Sequence, residues 1–389
     1  MKSKRYSKFL AGLVASLIIF SLAISPALAA ASDTTRASVA SDGAQGNSDS
    51  YYPSISADGR YVAFQSDASN LVSGDTNGSP DVFVHDRQSG QTKRVSVASD
   101  GTQGSGSYPS ISADGRYVAF MSAASNLVSG DTCCSDIFVH DRQSGQTTRV
   151  SVASDGTQGN SGSEYPSISA DGRYVAFRSY ASNLVSGDTN GAVDIFVHDR
   201  QSGQTERVSV ASDGVQGNDY SSYLSISADG RYVAFRSSAS NLVSGDTNGY
   251  WDIFVHDRQS GGTTRVSLAS DGAQGNYGSS YPSISADGRY VAFMSAASNL
   301  VSGDTCCSDI FVHDRQSGQT TRVSVASDGA QGNNHSWYPS ISADGRYVAF
   351  HSYASNLVSG DTNSAPDVFV HDRGGAGPAY QLYLPLILR

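Results

Sequence analysis

An all-β fold, six four-stranded units set around an axis as a six-bladed propeller, is predicted by three observations. First, Ser-Ile-Ser-Ala-Asp-Gly-Arg-Tyr-Val-Ala-Phe occurs six times, ending at Phe64, Phe120, Phe177, Phe235, Phe293 and Phe350, a spacing of 56 to 58 residues. Second, Asp-Ile/Val-Phe-Val-His-Asp-Arg also occurs six times, ending at Arg87, Arg142, Arg200, Arg258, Arg315 and Arg373. Third, a string close to Arg-Val-Ser-Val-Ala-Ser begins at Arg36, Arg94, Arg149, Arg207, Arg265 and Arg322. A fixed period of this length marks a repeat architecture in which each unit buries its apolar face against its neighbours.

Within the first unit, alternating and β-branched runs predict strands at Tyr52 to Ala57, Arg60 to Ser66, Asp81 to Asp86 and Arg94 to Ser99. Asp58-Gly59 is a hairpin turn, because both residues tolerate the positive φ that tight turns require. Gln88-Ser89-Gly90-Gln91 turns the chain between the last two strands. The third string precedes the first complete unit, at Arg36 to Ser41, and is missing after Arg373, where Gly374-Gly375 follows. This offset predicts closure of the ring by pairing of the N-terminal strand onto the last blade, which would leave no incomplete sheet.

The segment before the repeats has the features of a secretory signal peptide. Lys2, Lys4, Arg5 and Lys8 precede an apolar run from Phe9 to Ile24, and Ala27-x-Ala29 offers a cleavage site. The run is shorter than the roughly 20 residues of a membrane span. Losing residues 1–29 removes four positive and no negative charges, taking the formal charge from −10 to −14. Lys93 is then the only lysine, so no basic patch for nucleic acid or anionic lipid can be assembled. The propeller is expected over residues 34–373. Residues 374–389 read as a Gly-rich linker and an apolar tail, Leu-Tyr-Leu-Pro-Leu-Ile-Leu-Arg, suited to docking, envelope attachment or sorting.

Ser-Ala-Asp-Gly-Arg-Tyr-Val-Ala-Phe followed by Asp-Ile-Phe-Val-His-Asp-Arg resembles the WD40-like repeat of TolB-type β-propellers, over about residues 34 to 373. The resemblance implies a propeller and a protein-binding or accessory role. It also covers enzyme-attached domains, so it speaks to fold more than to function. Ala stands where the commoner pattern has Pro before Asp-Gly, and Ala-Ser-Asn-Leu-Val-Ser-Gly-Asp-Thr is inserted between the second and third strands.

Connections in a propeller alternate ends, so the loop leading into the first strand and the loop between the second and third share one face. The six units are nearly constant on the opposite, tight-turn face, and variation collects on this one. Here lie Tyr51, Tyr220, Tyr250, Trp251, Tyr277, His335 and Trp337, together with Arg178, Arg236 and His351 just after the second strand. Aromatic groups among Ser, Asn and Asp suit an adaptable recognition surface. The face is therefore expected to bind an extracellular protein or a glycan; drift of loops after duplication is the alternative.

Three further patterns bear on chemistry. Asp75, Asn77 and Asp81 place oxygen ligands at intervals through one loop, as calcium loops do, without the closing Glu. Asp188, Asn190 and Asp194, then Asp246, Asn248 and Asp252, then Asp361, Asn363 and Asp367 repeat the arrangement, and calcium is the expected ion. Self-capping of a turn explains the same residues. Cys133-Cys134 and Cys306-Cys307 are the only cysteines, and they fall on opposite blades, which excludes a bridge between the pairs. In an oxidising compartment each pair is expected to form a vicinal disulfide, with free thiols as the alternative. The six histidines His85, His140, His198, His256, His313 and His371 lie on third strands, away from the channel, and are expected to pack between blades. Neither Gly-x-Ser-x-Gly nor His-Glu-x-x-His occurs, and Glu164 and Glu206 are the only glutamates. A binding or scaffold module is the favoured function, and a metal-assisted hydrolase or lactonase using the channel is the alternative.

Overall fold

In the computed structural model, the structure describes residues 35–363 and 365–374; the segment expected to be a signal peptide and the apolar tail lie outside them. The described residues from Ala37 belong to one compact unit. It contains 23 strands and no helix among the described residues, grouped into six antiparallel sheets in strict sequence order. Blade one comprises Ser50–Ile55, Tyr61–Ser66, Asp81–Asp86 and Thr92–Arg94. The other blades repeat this pattern around a central channel.

The third strand is the spine of each blade. All six residues of Asp194–Asp199 are buried, and Phe196 stacks across the sheet on Phe177 with centroids 6.1 Å apart. Alternation sends successive side chains to opposite neighbours. Phe138 packs into the layer shared with blade one, whereas Ile137 and Val139 pack against Ile168, Val175 and Phe177 of blade three. The core is thus a set of layers between blades.

The fourth strand is shorter than the sequence suggests and lies earlier in the chain, meeting the expected Arg94 to Ser99 only at Arg94: Thr92–Arg94 continues the sheet. Val95 still donates to Val82, but Val97 pairs with Gln103, and its carbonyl accepts from the Thr147 hydroxyl of the next blade at 2.5 Å. The string therefore crosses from its own blade to the next. The histidines join the same link. His198 Nδ1 lies 2.8 Å from Thr205 Oγ1, which donates to the Val152 carbonyl of the preceding blade, so the ring must carry its proton on Nδ1.

Closure by the N-terminal strand is corrected by the structure. The sixth sheet has three strands, Ser336–Ile341, Tyr347–Ser352 and Asp367–Asp372. Val39 pairs with Gln45 and accepts from Thr92 of blade one, reproducing the link that every string makes to the blade after it. Its other edge is not bonded to Asp367–Asp372 among the described residues. Val368 and Val370 are 75% and 66% exposed, where the matching Ile310 and Val312 are 0% exposed. On the facing side of the seam, Ile55 is 58% exposed against 7–8% for Ile111, Ile168, Ile226 and Ile284.

Candidate functional site

The first strand of every blade carries a bulge at a tyrosine. Registers slip between Tyr51 and Ser54 in blade one and at the same place in the others. At each bulge the tyrosine, Tyr52, Tyr108, Tyr165, Tyr223, Tyr281 or Tyr338, has φ between 43° and 56°. Left-handed backbone costs a non-Gly residue on the order of 1–2 kcal/mol, and a bulge re-aims its side chain. Here it turns six phenol rings into the channel mouth. With Pro53, Pro109, Pro166, Leu224, Pro282 and Pro339 they line a cavity of about 330 Å³.

The ring is not uniform. Centroids are 4.3 Å apart for Tyr52–Tyr108, 4.5 Å for Tyr108–Tyr165, 4.6 Å for Tyr223–Tyr281 and 4.5 Å for Tyr281–Tyr338, but 6.1 Å for Tyr165–Tyr223. The neighbouring Tyr52 phenol, with burial, raises the pKa of Tyr108, and burial, with the phenols of Tyr338 and Tyr223, raises that of Tyr281, so both remain protonated in neutral solution. The wide gap is where Arg178 and Arg236 stand. Arg178 lies 4.5 Å over Tyr165 and is paired with Glu164. Arg236 lies 5.0 Å from the Tyr223 centroid and 3.8 Å from that of Trp251, and donates to Ser280 Oγ at 2.7 Å.

Most residues expected on the variable face gather beside this mouth. Trp251 is brought to Arg236, and Tyr250 stacks on Tyr277 of the next blade at 4.6 Å, which places the two loop types on one face. His335, Trp337 and His351 form a second cluster: Trp337 lies 5.4 Å from His335 and 5.8 Å from His351. Tyr51 is exposed and donates to Asp49, while Tyr220 is exposed farther along the rim. Sequence reasoning missed the tyrosine ring itself. Its signal is legible as Tyr-Pro-Ser-Ile at the first strand, a poor set of metal ligands but a ready aromatic lining.

In the loops expected to hold calcium, the carboxylates are engaged by protein side chains. Asp194 accepts from Ser209 at 2.5 Å, Gln216 at 3.0 Å and Asn190 at 3.1 Å, and Arg207 lies 3.4 Å from Asp188 and 3.6 Å from Asp194. The guanidinium supplies the positive charge that a cation would bring. In blade one, Arg94 lies 3.5 Å from both Asp75 and Asp81, and Gln103 donates to the same two carboxylates. In blade four, Arg265 lies 3.3 Å from Asp246 and 3.5 Å from Asp252, with Gln274 donating to both.

The asparagines likewise act as turn caps. Asn77 donates its amide nitrogen to Asp81 at 3.3 Å and to the Gly104 carbonyl at 2.9 Å, while its oxygen accepts from the Ser79 backbone. Asn248 donates to Asp252 at 3.1 Å and to the Gly275 carbonyl at 2.9 Å, and its oxygen accepts from the Tyr250 backbone. An amide that turns N–H toward the carboxylate has its oxygen in the Asx turn, so Asn77 and Asn248 do not converge with their aspartates on an ion. In blade six, Asn363 donates to Asp367 and accepts from the Ala365 backbone in the same manner. Among the described residues no three His, Cys, Asp or Glu side chains converge as a metal site.

Cys133, Cys134, Cys306 and Cys307 are thiols in the structure, with the Cys306 and Cys307 sulfurs 2.8 Å apart. Cys134 and Cys307 have φ of 70° and 74°, the conformation of Gly78, Gly191 and Gly249 in the loops they replace. Burial drives the His198 pKa down to about 4, consistent with its place in the interblade link.

No family model and no curated protein matches the sequence. Solved structures do. The β-propeller domain of the Trilobed protease from Pyrococcus furiosus, with an open velcro topology, aligns at a TM-score of 0.52 and 13% identity, covering 84% of this chain and 82% of that one. A putative TolB from Agrobacterium tumefaciens aligns at 0.46 and 17% identity, covering 84% and 91%. TolB from Acinetobacter baumannii aligns at 0.42 and 18% identity over 71% of this chain, which spans only 54% of that protein. At these identities the likeness speaks to the fold alone, and the chain folds as a six-bladed β-propeller.

Proposed function

We propose that this protein is an exported, non-enzymatic binding propeller that takes its ligand, a glycan or a segment of an extracellular protein, at the tyrosine-lined mouth. The observation that carries the reading is the ring of six tyrosines held at positive φ. Backbone strain repeated at one position in every blade is maintained by the surrounding structure and marks a surface shaped for use. Flat rings rimmed by Ser, Asn and indole groups bind by stacking and hydrogen bonding. The mouth is lined by phenols and prolines, with the guanidinium groups of Arg178 and Arg236 stacked on Tyr165 and Tyr223 beside it, a set suited to holding a ligand rather than activating a nucleophile. Export is supported by the sequence of residues 1–29, and N-terminal sequencing of protein recovered outside the cytoplasm should begin near residue 30.

The test is a glycan and peptide screen against the wild-type chain, repeated with Tyr108→Ala, Trp251→Ala and Trp337→Ala. A ligand of the mouth should lose at least tenfold in affinity with Tyr108→Ala, while thermal unfolding stays cooperative. Loss with the tryptophan variants maps the rim. A ligand that binds all three variants as tightly as wild type would move the function elsewhere.

A further inference from the structure

The six blades depart from their common pattern most sharply on one side of the mouth. At the position after Phe of the second strand the blades carry Gln65, Met121, Arg178, Arg236, Met294 and His351. The two arginines are adjacent, and between their blades the tyrosine centroids lie 6.1 Å apart, against 4.3–4.6 Å at the other four contacts between consecutive blades from one to six. At this same place Leu224 replaces the proline that follows the tyrosine in the other five blades.

The two arginines differ in one respect. Arg178 faces Glu164 across the strand pair, and the carboxylate neutralises it. The residue opposite Arg236 in the same register is Ser222. Arg236 is left with a single hydroxyl partner, Ser280, and its Nε is buried without any. The charged or titratable groups acting on it are the phenols of Tyr223 and Tyr281 and the guanidinium of Arg178. A half-buried cation stacked on Trp251 and Tyr223, with no counter-ion, keeps unspent capacity for a charge-assisted pair with an oxyanion. In a chain of formal charge −10, a locally positive mouth also favours approach of an anion over that of the surrounding surface.

We propose that the side of the mouth between blades three and four is an anion subsite, in which Arg236 receives the carboxylate of a small ring-bearing acid, a uronic-acid sugar, while the tyrosine ring takes the flat face of that ring. The inference rests on the mouth being the binding site and adds the chemical class of its ligand. The cavity, about 330 Å³, is at the small end of ligand pockets, which fits one or two sugar rings rather than a folded partner.

Isothermal titration with methyl β-D-glucuronide, and with methyl β-D-glucoside as its neutral counterpart, tests the subsite. The glucuronide should bind at least tenfold more tightly. Arg236→Gln should remove that preference. Ser222→Glu should do the same by giving Arg236 the internal partner that Glu164 gives Arg178, and Lys93→Gln, at an exposed position of a fourth strand, should leave the preference in place. Equal binding of both sugars, retention of the preference in Arg236→Gln, or absence of glucuronide binding would each overturn the subsite. Binding of a neutral ligand that Tyr108→Ala abolishes would leave the mouth itself standing, so the two failures are distinguishable.

Discussion

At residue scale, the repeated side chains act as locks between blades. His198 shows the logic: its Nδ1 proton is committed to Thr205, and Thr205 is committed to the Val152 carbonyl of the blade before. Charging the ring would place a cation in a buried site, so its pKa falls to about 4 from an unfolded value near 6.5. Between these values the unfolded chain binds more protons, and stability is lost as the pH falls. Comparing wild type with His198→Gln by denaturant unfolding isolates this contribution. The advantage of the wild type at pH 7.5 should shrink by on the order of 2–3 kcal/mol by pH 4. A difference independent of pH would mean that the imidazole is not buried in its neutral form. All six histidines are legible in the sequence as packing residues, because a third strand cannot turn its side chains toward the channel.

At the scale of strands and turns, the glycine of each Ala-Asp-Gly turn distinguishes five interfaces from the sixth. Gly172 has φ of +72°, and a Cβ there would lie 2.1 Å from Tyr117 of the preceding blade. Gly59 has the same φ, yet a Cβ there would meet only Arg87 and Ile55 at 3.7 and 4.0 Å. Gly59→Ala should therefore cost about 1–2 kcal/mol for backbone strain alone. Gly172→Ala should cost a further 1–3 kcal/mol or so, because the tyrosine must be displaced. Chemical unfolding midpoints measure both, and equal losses would show that Gly59 also abuts a tyrosine. Turn chemistry makes these hairpins legible, whereas the sequence reading places the fourth strand at Arg94 to Ser99, just beyond the Thr92–Arg94 that the structure shows. Val95 to Ser99 has β-forming composition, but its hydrogen bonds are divided between two blades, and no local pattern encodes that division.

At the scale of the whole molecule, each blade is stabilised by its neighbours, and the ends of the series are where this support runs out. Val312 is enclosed by blade six, whereas Val370, its equivalent, has no blade over it in the structure. Val312→Lys should unfold the protein, since it buries an unpaired ammonium. Val370→Lys should stay within about 0.5 kcal/mol of wild type, as exposed substitutions do. Circular dichroism melts would show the contrast. A severe loss at Val370 would mean that another surface covers the last blade in solution. The candidate site belongs to this scale as well. Tyr165, Tyr223, Arg178, Glu164, Arg236 and Trp251 come from two blades and three kinds of segment, and only the ring arrangement brings them together beside one mouth.

The repeats determined the class, the blade number, the strand cores and which loops share a face, because period, alternation and turn residues act over a few residues and appear in the sequence directly. Tertiary structure alone decided that the tyrosines line the mouth, that guanidinium groups stand beside the loop carboxylates of the first five blades, and that among the described residues the last sheet has three strands. Each of these depends on which blade meets which and on how a bulge aims a side chain. Those relations join residues some fifty positions apart, and six nearly identical repeats cannot indicate which copy stands at an edge.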